Sequence, residues 1–232
     1  MKRAERVYFE EIDSTNDYAK SRRSEGKDLI VVAKRQTGGR GTKGRSFASD
    51  EGGLYFTKLT FYENLPASRA FWVMQTATVA VCETLKGLGL QPKIKWPNDI
   101  FVNGKKICGI LIENLFSGAL VASSVVGIGL NIYNALPKEL ETIATTIEAE
   151  TGKRFSVDEV ERCLTEKLSE EDGYRKYANY LGWIGEEVYL TVGEKTEKAT
   201  LLRVDEAGNL IARTTEGEKR FSAGEISLRL EA

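Results

Sequence analysis

The chain has 232 residues, with 33 Lys and Arg against 34 Asp and Glu, so its formal net charge is −1. It contains no histidine and only three cysteines, which stand far apart. These counts exclude a histidine-dependent catalytic triad, a histidine-based zinc site and a disulfide framework. Neither a signal peptide nor a membrane-spanning run is present in the sequence, so we expect a cytoplasmic protein without a membrane partner.

The first part of the chain predicts strands and one long helix. Residues 29–33 form a short β-rich run that leads into a glycine-rich stretch over 38–53. Residues 54–61 predict the next strand. Apolar residues at helical spacing then predict a helix over 68–85, which glycines terminate.

The middle of the chain predicts a hairpin followed by helices. Asn103-Gly104 lies between two strand-forming runs, which is the strongest local signal for a tight β-hairpin. Residues 119–132 predict a further strand interrupted by glycines. Residues 137–150 predict a helix, and Ser156 to Glu159 form a capping box that opens a second helix running to about residue 180.

The last part of the chain returns to short strands separated by glycine turns. About 45 residues of this kind predict a small β-barrel module. We therefore expect two domains, over residues 1–183 and 184–232.

The glycine-rich loop over residues 35–46 is the most informative stretch for function. It holds four glycines and four cations directly after a predicted strand. Glycine lets backbone N–H groups approach an anion, and Arg and Lys neutralise its charge, so the loop predicts a phosphate or carboxylate ligand. The dinucleotide fingerprint and the Walker A motif nearly match, but both require a helix where a strand follows here. A solvated loop with incidental charge is the alternative.

Other polar clusters have two interpretations each. In KWPND (95–99), Asp99 can bind Mg²⁺ and orient a phosphate. The alternative is that Pro97-Asn98-Asp99 forms a β-turn, as this tripeptide most often does. Lys106 can point its ammonium into a site, although lysines at hairpin ends are usually solvated. DSTN (13–16) taken alone predicts a helix N-cap, and GIGLN (127–131) predicts either a strand that packs closely on a ligand or a β-bulge.

Taken together, these motifs resemble those of biotin protein ligases. The matching segments follow the family's order: DSTN (13–16), GGRGTKGR (38–45), KWPND (95–99), KKICGILIE (105–113), GIGLN (127–131) and GEISLR (224–229). The resemblance implies that ATP activates biotin to biotinyl-5′-AMP. Biotin then passes to a lysine of the biotin carboxyl carrier protein of acetyl-CoA carboxylase. It also implies an α+β fold with a mixed-sheet catalytic domain related to class II aminoacyl-tRNA synthetases, followed by a small SH3-like β-barrel.

The resemblance further implies roles for single residues. Lys106 and Arg40 would be catalytic, and Asp99 would bind Mg²⁺. Biotin would be bound by Ser14, Thr15, Asn16, Gln36, Arg40, Gly41, Thr42, Lys106 and Gly109. ATP or the adenylate would be bound by Arg45, Phe47, Trp96, Asn98, Asn131 and Arg229. Phe221 would join Arg229 in closing over the nucleotide.

The chain departs from the family pattern at several positions. Thr42 stands where some members have arginine, and Phe47 where the family often has tryptophan. Cys108 replaces a residue that is usually small, and we expect it to be a buried apolar side chain. Few residues precede DSTN, so we expect a ligase without the DNA-binding domain of bifunctional members. Because family members often dimerise, a homodimer is a further expectation.

Two alternatives stay open. A lipoate–protein ligase uses the same two-step chemistry, although GRGTKGR and KWPND favour biotin. A nucleotide- or RNA-binding module would use the glycine loop and the C-terminal barrel. Against it, the barrel region has few aromatic residues, Tyr189 and Phe221, and the net charge is −1.

Overall fold

The computed structural model describes residues 4–170, 173–223 and 226–229, which form two β-sheets and five α-helices. The N-terminal strands are β1 (Glu5–Ile12), β2 (Leu29–Gln36), β3 (Gly53–Pro66), β4 (Lys93–Lys95), β5 (Asp99–Val102), β6 (Lys105–Ser117) and β7 (Leu120–Asn131). The C-terminal strands are β8 (Glu187–Val192), β9 (Lys195–Val204), β10 (Leu210–Thr214), β11 (Gly217–Phe221) and β12 (Ile226–Arg229). The helices are α1 (Thr15–Ser21), α2 (Phe71–Gly87), α3 (Ile147–Thr151), α4 (Val157–Lys167) and α5 (Tyr177–Tyr180).

The larger sheet has seven strands in the order β1-β2-β3-β7-β6-β5-β4, and the smaller has five in the order β11-β10-β9-β8-β12. In the larger sheet β1 and β2 pair in parallel, while the other neighbours are antiparallel. Every neighbouring pair in the smaller sheet is antiparallel. The predicted α+β class, a mixed sheet followed by a small β-module, is confirmed.

Both faces of the larger sheet are covered by helices. Strand β2 shows this directly, since Ile30 and Val32 join the core under α2 and α4 while Leu29 and Val31 pack with Ala19 of α1. Alternate residues of a strand point to opposite faces, so a continuous apolar run suits a strand covered on both sides. The α1 face is covered only in part, which leaves room for a cleft beyond the start of that helix.

Two local predictions are confirmed. Asn103 and Gly104 both adopt left-handed backbone angles, with φ of 49° and 80°, and they join β5 to β6 as an antiparallel hairpin. Ser156 caps α4, since its side chain accepts a hydrogen bond from the Glu159 amide while the Glu159 carboxylate accepts one from the Ser156 amide.

Two helix predictions are wrong in extent. The predicted helix over 137–150 is a single 3₁₀ turn at Lys138–Leu140 followed by the short α3. The backbone between them pairs with the start of β6: the Lys106 amide donates to Ile143, and the Thr145 amide donates to Lys106. The helix that the capping box opens ends at Lys167, and a 3₁₀ turn separates it from α5.

The chain changes its pairing partners between residues 182 and 185. The Gly182 amide donates to Ile94 O at the edge of the larger sheet, whereas the Gly185 amide donates to Leu201 O in β9. The domain boundary between residues 183 and 184 stays a prediction that this change supports. Within the described ranges, no helix is long and apolar enough to cross a membrane.

Candidate functional site

A cleft lies on the α1 face of the larger sheet, between the start of α1, the part of the glycine loop that follows β2, and strands β3, β6 and β7. It brings together many residues that the resemblance assigns to ligands. These are Ser14, Thr15, Asn16, Gln36, Arg40, Gly41, Thr42, Phe47, Asn98, Asp99, Lys106 and Gly109. They come from segments spread over nearly 100 residues of sequence, so only the fold can assemble them.

The inner end of the cleft is a network of buried polar groups. Thr57 Oγ1 lies 2.8 Å from Thr15 Oγ1 and 2.7 Å from Asn16 Oδ1. Thr15 donates from both its amide and its hydroxyl to Gln36 Oε1, and Gln36 Nε2 donates to Ser49 Oγ at 3.0 Å. Because each buried group has a partner, the network fixes the amides of Asn16 and Gln36 in orientation.

The N-cap that the DSTN motif predicts is confirmed. Ser14 is the N-cap of α1, and its hydroxyl accepts a hydrogen bond from the Asp17 amide at 3.3 Å. The residues after the cap, Thr15 and Asn16, are buried and face the cleft. The cap thus places the first turn of the helix against the cleft.

Glycines in the central strands make room for side chains of the cleft. A Cβ atom on Gly127 would lie 2.1 Å from Asn16 Oδ1, and one on Gly129 would lie 2.4 Å from Phe47 Cε1. A Cβ on Gly109 would also approach the Phe47 ring, at 3.2 Å. The register of β7 runs without interruption through 127–131, so GIGLN is a close-packing strand and not a β-bulge.

Cations stand at the mouth of the cleft. Lys106 Nζ lies 2.7 Å from Asp99 Oδ1 and 6.0 Å from the centre of the Phe47 ring. Arg40 Nη2 lies 2.8 Å from Asp17 Oδ2. Both cations line the cleft while part of each side chain stays accessible, which suits them to an anionic ligand.

The KWPND motif divides between the cleft and the core. Asn98 and Asp99 line the cleft, and the Asn98 side chain donates to Ile110 O at 2.7 Å, which fastens the motif to β6. Trp96 is 4% exposed and packs in the apolar core of the C-terminal module, where its indole N–H donates to Gly208 O at 3.0 Å. Its indole is therefore committed to the core and does not line the cleft.

Three other candidate residues also lie away from the cleft lining. Arg45 follows the 3₁₀ turn of the glycine loop and is exposed. Asn131 is buried and donates to Thr145 O at 3.1 Å, which holds the segment after β7. Phe221 packs in the core of the C-terminal module and does not line the cleft. The start of GEISLR and the Arg229 side chain lie outside the described residues.

Sequence reasoning missed Tyr55 in the cleft wall. Tyr55, Gly129 and Gly109 are cross-strand neighbours on β3, β7 and β6, and Tyr55 and Leu111 line the cleft with the two glycines. Residues two apart on a strand face the same side, so Leu111 lies on the same face of β6 as Gly109. The pairing of strands distant in sequence, which adds Tyr55, has no local signal.

Cys108 is fully buried, as expected. Desolvation raises the pKa of its thiol well above the ordinary value, so the group stays protonated. It behaves as a small apolar side chain next to the catalytic lysine candidate and not as a nucleophile.

Comparison with known proteins agrees with this geometry. Residues 8–131 match the biotin/lipoate A/B protein ligase family, and residues 183–229 match the biotin protein ligase C-terminal domain. The chain is 31% identical over 242 residues to the bifunctional ligase/repressor BirA of Bacillus subtilis, a match that covers 96% of this chain and 73% of that protein. It is 28% identical to the biotin–[acetyl-CoA-carboxylase] ligase of Paracoccus denitrificans, over 84% of this chain and 88% of that one.

The fold is also that of a solved ligase. The biotin protein ligase from Aquifex aeolicus in complex with biotin and ATP superimposes with a TM-score of 0.79 at 31% identity, over 98% of this chain and 99% of that one. The chain therefore belongs to the biotin/lipoate A/B protein ligase family. Its activity is that of the biotin branch, a ligase that activates biotin with ATP and transfers it to protein.

Proposed function

We propose that this cleft forms biotinyl-5′-AMP and that the protein then attaches biotin to one lysine of the biotin carboxyl carrier protein of acetyl-CoA carboxylase. The observation that carries the proposal is the order of chemical groups along the cleft. A polar inner end is followed by a wall built on glycine-containing strands and then by cations at the mouth. Biotin presents a polar ureido ring, an apolar chain and a carboxylate in the same order.

Biotin would bind with its ureido ring toward the start of α1. Thr15, Asn16 and Gln36 supply hydroxyl and amide groups there, already oriented by the network around Thr57. Ser14 adds a hydroxyl that the Asp17 amide holds in place. Gly109 would let the apolar chain lie close to β6. Gly41 and Thr42 of the glycine loop would cover the bound acid from the opposite side.

The first chemical step needs stabilisation of negative charge. The biotin carboxylate attacks the α-phosphorus of ATP, a bond to the carboxylate oxygen forms, and pyrophosphate leaves with the electron pair of the broken P–O bond. Lys106 and Arg40 are the catalytic candidates, because their cationic groups stand at the mouth where this charge develops. In the second step the acceptor lysine amine attacks the activated carbonyl, and AMP leaves.

The nucleotide would lie on the side of Phe47 and Asn98. The Phe47 ring rests on the backbone at Gly129 and Gly109 and offers a face for adenine stacking. Arg45, two residues before Phe47 in the sequence, would reach the phosphates from the exposed loop. Trp96 and Asn131 are left out of the proposed nucleotide site because their polar groups already have buried partners.

Mg²⁺ would enter this site with ATP. The described residues hold no cluster of three or more acidic, Cys or His side chains that could bind a metal by themselves. A single carboxylate in the cleft, Asp99, fits Mg²⁺ that keeps phosphate oxygens and water as its other ligands. Such an ion would neutralise phosphate charge, and Asp99 is the residue that would hold it.

Cellular and assembly properties are part of the same proposal. The free cysteines Cys82, Cys108 and Cys163 support a cytoplasmic location, and the net charge of −1 supports a protein that does not bind DNA. Strand β1 stands at an edge of the larger sheet and offers a surface for a homodimer.

The test is pyrophosphate exchange with purified protein, ATP, Mg²⁺ and either biotin or lipoate. Exchange that depends on biotin supports the proposal, and transfer is then followed as labelling of the carrier lysine. Equal or greater exchange with lipoate would favour a lipoate ligase. Exchange with neither acid would contradict adenylation of both. An RNA-binding role has less support, because Phe221 is buried and Tyr189 is half-buried beside Lys198.

A further inference from the structure

We infer that Asp17 is a positioning residue, which ties the Arg40 guanidinium to helix α1 and holds it at the mouth of the cleft before the adenylate forms. Asp17 follows the DSTN motif directly and lies outside every role assigned to that motif. The inference rests on the proposed function, since Arg40 acts there on the adenylate.

The Asp17 carboxylate bridges two cations. Its Oδ2 atom lies 2.8 Å from Arg40 Nη2, and its Oδ1 atom lies 2.8 Å from Lys20 Nζ. Each carboxylate oxygen therefore binds a different cation, one on the loop and one on the helix. Lys20 also binds Glu113, so the two cations and two carboxylates balance in charge, and the attraction for an anion comes from the exposed part of the Arg40 guanidinium.

The glycine loop is otherwise held by backbone contacts within its turn and at its ends. Contacts at the turn are internal: the Gly41 amide donates to Arg45 O, and Arg40 pairs with Ser46. The loop meets the body of the protein at its ends, where the Gly38 amide donates to Asp13 O. The Asp17 ion pair adds a connection between the Arg40 side chain and a regular element of the fold.

Asp17 is itself anchored to strand β6 through Lys20. Lys20 Nζ also lies 2.9 Å from Glu113 Oε1 on β6, and Glu113 Oε2 accepts from Asn16 Nδ2 at 3.4 Å. Desolvation lowers the pKa of Lys20, but hydrogen bonds to Asp17 and Glu113 outweigh it and raise that pKa above its ordinary value. The ammonium therefore stays charged at neutral pH, and the ion-pair chain links the mouth of the cleft to its polar inner end.

The contact with Asp17 leaves most hydrogen-bond donors of Arg40 free for a ligand. A guanidinium has five N–H donors, and this contact uses a single Nη2 atom, so donors remain for a phosphate or carboxylate. The Arg40 side chain is 56% exposed and that of Asp17 31% exposed, so the pair adds little to the stability of the fold. Its effect is expected on ligand retention.

The test is the rate at which biotinyl-5′-AMP leaves the full-length protein. Asp17→Asn keeps the size of the side chain and removes its charge. We expect release to become about threefold to tenfold faster, with little change in biotin affinity, because one exposed ion pair restrains Arg40. The matched control is Glu11→Gln, which removes one of the two carboxylate partners of Arg35, at 3.0 Å, in a similarly exposed pair outside the cleft lining. This variant should release the adenylate like the parent.

A double-mutant cycle separates positioning from helix stability. If Asp17 acts through Arg40, Asp17→Asn adds nothing to release in an Arg40→Ala background, whereas a purely structural role of Asp17 would give additive effects. Asp17→Glu should restore part of the retention. Salt should speed release in the parent and have less effect in Asp17→Asn, because the ion pair is open to screening. Lys20→Met gives a second route if Asp17→Asn does not fold, and it should speed release in the same direction.

The outcomes distinguish the two proposals. A parent protein without biotin-dependent pyrophosphate exchange would overturn the proposed function and this inference with it. A parent that exchanges normally, with Asp17→Asn releasing the adenylate at the parent rate or adding fully to Arg40→Ala, would overturn the inference alone. Faster release that disappears in the Arg40→Ala background supports it.

Discussion

Among single residues, Lys106 is the one whose position in the fold bears most directly on the proposed adenylation. It is the second residue of β6, its backbone pairs with the segment around Ala144, and its ammonium forms an ion pair with Asp99 inside the cleft. A lysine held at both backbone and side chain is preorganised, which is what the proposed stabilisation of developing charge requires.

We therefore expect Lys106→Ala to lower the rate of adenylation much more than it weakens biotin binding. Loss of one preorganised charge donor typically reduces kcat by about 10²-fold to 10³-fold. Pyrophosphate exchange gives kcat, and calorimetric titration gives the dissociation constant of biotin. Lys105→Ala is the matched control, since Lys105 donates to the backbone at Glu141 and is not part of the cleft lining. A loss confined to biotin affinity would make Lys106 a ligand clamp instead.

Gly129 allows a second prediction at the residue scale. Its missing Cβ leaves space for the Phe47 ring, so Gly129→Ala must displace that ring from the cleft wall. We expect the apparent affinity for ATP to fall about tenfold or more, because misplacing one contact by about 1 Å is enough to disturb a bound geometry. Gly87→Ala, in the last turn of α2 with nothing within 4 Å of the new Cβ, should stabilise the fold slightly and leave ATP affinity unchanged. An unaltered affinity in Gly129→Ala would contradict the role given to Phe47.

Among the elements, α4 shows how a short sequence motif, the capping box, stabilises a helix. Ser156→Ala removes the hydroxyl from the capping box, which costs about 1 kcal/mol, or about 2–4 °C in Tm for a chain of this length. Ser68→Ala, at an exposed serine in a 3₁₀ turn without a side-chain cap, should leave Tm unchanged. Exchange activity below the transition should be the same in both variants, because neither position lines the cleft.

The same box predicts a pH dependence. Hydrogen bonds from the Ser156 side chain and then its backbone amide lower the pKa of Glu159 below its ordinary value. A carboxylate with a lowered pKa in the folded state stabilises the fold above its unfolded pKa of about 4.3, and this contribution is lost as the pH falls through the lowered value. The Tm difference between the parent and Ser156→Ala should therefore shrink below about pH 4. A difference that stays constant down to pH 3 would contradict this account.

Local signals were predictable from the sequence, and pairings between distant segments were not. The hairpin at Asn103-Gly104 and the cap at Ser156 depend on a few neighbouring residues, so their patterns were sufficient. The segment 137–150 has helical spacing, but part of its backbone forms hydrogen bonds with β6 in place of helical ones. Nothing in the sequence of the segment itself indicates that pairing. The family motifs pointed to most of the cleft, whereas the burial of Trp96 depends on a module more than 80 residues further along the chain.

In the whole molecule, the C-terminal module is packed against the motif that carries Asn98 and Asp99. Trp96, two residues before Asn98, lies in the core of the module and binds Gly208 O. Gly208 has a φ of +88°, and a Cβ there would lie 2.1 Å from Phe71 Cγ at the start of α2. The module is thus joined to the catalytic sheet and to its longest helix at one turn.

We expect Gly208→Ala to loosen this junction, with faster proteolysis in the segment around residues 182–186 and a lower kcat for exchange. The backbone strain of alanine at positive φ, about 1 kcal/mol, adds here to the collision with Phe71. Gly193→Ala is the matched control: its φ of +58° imposes comparable strain, but nothing lies within 4 Å of the new Cβ. If loosening the module disturbs the turn that holds Asp99 against Lys106, only Gly208→Ala loses activity. Equal proteolysis and equal kcat in the two variants would show that the module does not support the cleft.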